Sequence, residues 1–126
     1  MEFVALVTLL LLFQYFTFMM LCGMARGKGD IQAPATSGDE MFERALRVQM
    51  NTIEQLVIAL PAMWLCAMYY RPLVAAGLGL VFFLGRILYR AGYMKDPAKR
   101  GPGMIIGVLA NVGLMLTALW GVVIKM

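Results

Sequence analysis

The sequence contains no histidine among its 126 residues. The commonest general base and the commonest metal ligand are therefore missing. Cysteine is scarce: Cys22 and Cys66 are the only two, each inside an apolar run. Two thiols so placed make no secreted disulfide framework, and as small buried hydrophobes they have an ordinary explanation. No CxxC or HExxH spacing occurs, so no metal is expected. Charge is thin as well, at 14% of residues. The net charge of +4 is spread without any Lys/Arg-rich run, which argues against a nucleic-acid partner.

What remains is apolar. Hydrophobic residues make up 62% of the chain, with 12 Met and 13 Gly, a composition suited to packed transmembrane helices. The length suits one domain covering residues 1–126. Four segments emerge, at about residues 3–24, 41–70, 73–94 and 104–124, each with at least the roughly 20 residues needed to cross a bilayer and the second longer than a span requires. The fold class expected is an all-α integral membrane protein, a bundle of four transmembrane helices. Glu2 stands where a cleavable signal peptide would carry basic residues, so the first segment reads as a span. In the loop that follows, Ser37 or Asp39 is a candidate cap for the second helix, and Ser37 with Glu40 fits a capping box. Pro61, mid-helix, is expected to kink the second helix or free a carbonyl. In the fourth, Gly113, Thr117 and Gly121 recur every four residues, a spacing that favours close helix contact.

The loops after segments one and three hold Arg26, Lys28, Lys95, Lys99 and Arg100, whereas the opposite side offers Arg71 and Lys125. Positive-inside bias makes the two basic loops cytoplasmic and both termini external. In a bacterium the membrane would be the inner, or plasma, membrane.

Polar residues inside the spans need an explanation, because each is expensive in lipid. With Arg47 as origin on a helical wheel, Glu43 lies at about −40°, Asn51 at about +40° and Glu54 at about −20°. With Arg86 as origin, Tyr89, Arg90 and Tyr93 lie at about −60°, +40° and −20°. Glu54 is roughly 24 Å back from residue 70, and Arg86 roughly 20 Å along from residue 73. The two helices run antiparallel, so both stripes reach similar depth at the cytoplasmic end, and Glu54 is expected to pair with Arg86. A structural ion pair alone accounts for one acid and one base. It leaves Arg47, Asn51, Arg90, Tyr89 and Tyr93 unexplained. The surplus of guanidinium suits a ligand with carboxylates, either a zwitterionic peptide-like molecule or an anionic lipid headgroup.

Residues 43–54 read E-R-A-L-R-V-Q-M-N-T-I-E, and residues 85–93 read G-R-I-L-Y-R-A-G-Y. In these two stretches, its four spans and its basic first loop, the chain resembles the family of membrane-associated proteins in eicosanoid and glutathione metabolism (MAPEG). The resemblance implies a homotrimer of four-helix protomers. Glutathione would be the co-substrate, bent between neighbouring protomers and open to the cytoplasm. The implied activity is a glutathione transferase acting on hydrophobic electrophiles, with reduction of lipid hydroperoxides a second possibility. Arg47, Asn51 and Glu54 would hold the backbone and termini of glutathione, with Gln49 nearby. Arg26 matches a basic ligand of the leukotriene-forming member, and Tyr89 and Tyr93 match tyrosines lining the glutathione site. Arg86 and Arg90 join this ligand-holding set by their place on the third helix. Arg100 matches the arginine that stabilises the thiolate and is the catalytic candidate. A guanidinium beside the sulfur would keep the thiolate populated with no histidine base. The chain departs from the pattern in having Pro61 farther from the last glutamate of the motif and Gln55 where some members carry an aromatic. Other readings of the same stripe are a small four-helix transporter of cations or protons and a non-catalytic membrane scaffold.

Overall fold

A computed structural model describes residues 1–126 as four long helices: α1 (Glu2–Lys28), α2 (Glu40–Tyr69), α3 (Pro72–Lys95) and α4 (Gly101–Val123). A single 3-10 turn, Pro97–Arg100, joins the last two. All four helices are long and apolar enough to cross a membrane.

Two boundaries extend past the apolar segments. α1 continues through Arg26 and Lys28, whose positive charges in the last turn favour the negative end of the helix dipole. α4 starts at Gly101 because Pro102 sits in the first turn, where its missing N–H is harmless. At the start of α2, Asp39 takes the capping role, accepting from the Phe42 amide at 3.0 Å. Glu43, not Glu40, reaches back, accepting from the Gly38 amide at 3.1 Å. The Ser37–Glu40 box therefore does not form, and Glu40 instead pairs with Arg44. Gly38, at φ +123°, makes the turn that places the Asp39 carboxylate over the helix end, a conformation glycine adopts readily. α2 stays helical through Pro61.

The main core runs the length of the bundle through Val4, Leu11, Leu56, Met63, Phe82 and Leu114, with small Ala59, Ala75 and Ala110 between them. Glycine sets the closest approaches. A Cβ at Gly103 would overlap the Tyr89 backbone, and one at Gly121 would stand 2.5 Å from the Tyr69 carbonyl oxygen. The Gly113–Thr117–Gly121 line is thus shared between neighbours. Gly113 faces Leu78 of α3, and the Thr117 hydroxyl lies 3.1 Å from Cys66 Sγ of α2. Both cysteines are buried and unpaired. Leu, Phe and Met side chains cover much of the exterior, as lipid contact requires.

Candidate functional site

The site lies where the first half of α2 crosses the second half of α3. Arg86 is its inner member, 1% exposed. Its Nη2 donates to Asn51 Oδ1 at 2.8 Å and to Thr52 Oγ1 at 2.9 Å. The guanidinium also lies 4.1 Å from the centre of the Tyr89 ring. The expected Glu54–Arg86 pair is not made. Glu54 Oε1 instead stands 3.5 Å from Arg47 Nη1, with side chains 57% and 51% exposed. The helical wheel explains the exchange. Asn51 and Thr52 lie at about +40° and +140° from Arg47 and face α3 between them, whereas Glu54, at about −20°, is turned away.

Tyr89 is buried against Val48 and Phe18, and its ring lies 5.6 Å from that of Tyr93. Tyr93 opens onto a groove of about 830 Å³ at the end of the bundle that carries the basic loops. Glu43, Arg44, Arg47, Met50 and Pro97 line it as well. Arg44 ties the groove together, donating to the carbonyl oxygens of Met94 at 2.9 Å and Lys95 at 3.1 Å. It thereby supplies donors to the open carbonyls at the end of α3.

One protomer therefore gathers Arg47, Asn51, Glu54, Arg86, Tyr89 and Tyr93. It does not gather the remaining candidates on that face. Arg26 donates to the Ala35 carbonyl oxygen at 2.8 Å and stacks 4.4 Å from the Phe42 ring centre, holding the first loop. Arg90 turns toward α1, 5.8 Å from the Phe18 ring centre, in a separate recess of about 370 Å³ that also contains Lys28. Gln49 is half-buried and about 200° around α2 from Arg47. Arg100 is exposed in the 3-10 turn and donates to the Pro97 carbonyl oxygen at 2.7 Å, at the edge of the groove.

Four further residues contribute beyond the expected set. Thr52 shares Arg86 with Asn51, and its only sequence signal was a hydroxyl adjacent to the motif asparagine. Arg44 sits inside the motif but pointed to no partner. Asn111 Nδ2 donates to Gln55 Oε1 at 3.0 Å and links α4 to α2 just beyond Glu54.

A family model described as the MAPEG family matches residues 4–120. The uncharacterized protein sll1147 of Synechocystis sp. is 47% identical over 120 residues, covering 92% of this chain and 88% of its own. Microsomal glutathione S-transferase 2 of Homo sapiens is 35% identical over 113 residues, 88% of this chain and 77% of its own. Leukotriene C4 synthase of Cavia porcellus is 35% identical over 98 residues, 76% of this chain and 64% of its own.

Proposed function

The chain belongs to the MAPEG family, and from that premise we propose that it is a membrane-bound glutathione transferase joining the thiolate of glutathione to hydrophobic electrophiles. The observation that carries this reading is the Arg47–Glu54 pair, held half-open beside the groove with Asn51 between its members. Glutathione has two carboxylates and one ammonium. A guanidinium for the first kind of group and a carboxylate for the second complement it in charge. A cation carrier fits the same stripe poorly, since Arg44, Arg47 and Arg86 would repel its cargo. Relatives bearing the names microsomal glutathione S-transferase 2 and leukotriene C4 synthase support the same assignment.

Arg47, Asn51 and Glu54 hold the peptide, and Tyr89 and Tyr93 form the wall behind it. Arg26, Gln49 and Arg90 lie on other faces of the protomer and reach the groove only across a subunit boundary, which is how a homotrimer would employ them. A half-open ion pair at membrane depth also calls for a protein neighbour in place of lipid. The groove opens on the side of the basic loops, which positive-inside bias makes cytoplasmic.

The chemistry resides in the sulfur. A free thiol has a pKa near about 8.5 and reacts as the thiolate. Arg100, bound only to one carbonyl, is free to swing to the sulfur and stabilise its negative charge. The thiolate then forms a bond to the electrophilic carbon of an apolar acceptor arriving from the bilayer, and the leaving group departs with the bonding pair. Purified protein in detergent should bind glutathione, develop thiolate absorbance and conjugate an aryl halide. The absence of both signals at saturating glutathione would rule the reading out, and proton-coupled dye efflux from liposomes would favour a transporter.

A further inference from the structure

Arg86 is the most deeply buried charge in the chain, yet none of the ion pairs includes it. Its Nε has no partner, and both bonds from Nη2 go to neutral groups, Asn51 Oδ1 and Thr52 Oγ1. The Thr52 hydroxyl hydrogen is committed elsewhere, donated to the Val48 carbonyl oxygen at 2.7 Å, so only its lone pairs face Arg86. At 1% exposure the guanidinium does not itself meet a ligand in the groove. Its effect has to pass through what it touches.

The contact with Asn51 removes an ambiguity. A carboxamide turned over about its last bond exchanges an acceptor for two donors with almost no change of shape. A guanidinium only donates. The Asn51 atom facing Arg86 is therefore the oxygen, and the NH2 group is the one left over. That nitrogen makes no hydrogen bond within the chain, and Asn51 stands one turn from Arg47 and one turn from Glu54 on the same stripe.

We propose that Arg86 is a positioning residue for ligand recognition. It holds the Asn51 amide with its NH2 toward the ligand, so this position takes an acceptor oxygen of glutathione, a carboxylate or peptide carbonyl, and rejects a donor. The proposal rests on the glutathione reading above. Without Arg86 the amide is free to turn over, and its oxygen then meets the ligand's oxygen.

Calorimetric titration with glutathione, together with KM and kcat for conjugation, tests the proposal on R86M, R86K, N51D and the double variant R86M/N51D. An aspartate at position 51 still accepts from Arg86 and so preserves the helix contact, but it has no donor for the ligand. R86M and N51D are each expected to weaken glutathione binding by about tenfold or more, the loss of a polar contact in a desolvated site. The loss should appear in KM for glutathione and much less in kcat. R86K retains a donor and should recover most of the affinity. The double variant should be no weaker than N51D alone, because Arg86 acts through residue 51. Losses that multiply in the double variant, or R86M binding within about twofold of wild type, would overturn the proposal. Should R86M fail to fold, R86K decides: affinity as poor as that of N51D overturns it. Wild-type protein that does not bind glutathione overturns the glutathione reading itself.

Discussion

Arg47 and Glu54 each leave about half of the side chain open, although both stand on a helix able to cross a membrane. An ion pair so exposed contributes about 0–1 kcal/mol to stability. R47A and E54A should therefore shift the unfolding temperature in detergent only slightly. Their effect should be on glutathione, weakening its binding by about tenfold or more through loss of a charge-assisted hydrogen bond. Comparing thermal unfolding with calorimetric titration separates the two effects, and a large stability loss with intact binding would contradict the assignment. Arg100 is proposed for another step. If its guanidinium lowers the pKa of the glutathione sulfur, R100A raises that pKa by about 1–3 units. Less thiolate is then present at neutral pH, so conjugation falls there and recovers as pH rises through the new midpoint. A pH–rate profile whose midpoint does not move would reassign the role to a nearby tyrosine or to Arg90.

At the scale of the helices, α3 and α4 meet through glycine. A methyl group at Gly103 would overlap the Tyr89 backbone, whereas one at Gly77 meets nothing within 4 Å. G103A should force the two helices apart, at about 1–3 kcal/mol, and disturb the Tyr89–Tyr93 pair beside the groove. G77A, in an open helical position, should be neutral or stabilise by about 0.5–1 kcal/mol. Thermal unfolding of the two variants side by side checks the contrast. The regular spacing of Gly113, Thr117 and Gly121 drew attention to the far end of α4, while the tightest contact with the site-bearing helix is made by Gly103 in its first turn. A glycine beside a proline and a basic loop looks like loop chemistry, and only the partner helix shows otherwise.

For the whole molecule, the proposed homotrimer would account for the half-open Arg47–Glu54 pair and for the scattered positions of Arg26, Gln49 and Arg90. Native mass spectrometry in detergent should give a mass three times that of the protomer. Cross-links engineered between positions 26 and 47 should join different chains, not the same chain. A monomeric, fully active enzyme would contradict both the trimer and the shared site.

The sequence by itself determined the four spans, because hydrophobic length against bilayer thickness is a one-dimensional property. It also determined which stretches carry polar groups at the end bearing the basic loops, since a polar residue in lipid stands out against its neighbours without any fold. Pairing was a different matter. Depth counting correctly brought the Glu54 and Arg86 levels together, but depth is silent about rotation. A rotation of α2 by about 60°, the angle between Asn51 and Glu54 on the wheel, decides whether an acid or an amide faces α3. The helix packing chose Asn51 and Thr52 for Arg86 and left Glu54 with Arg47. That rotation is fixed by contacts such as Val48 against Tyr89 and Phe18, which join residues far apart in the chain. The stripe was therefore legible from one helix alone, and the division of its members between buried support and open surface required the bundle.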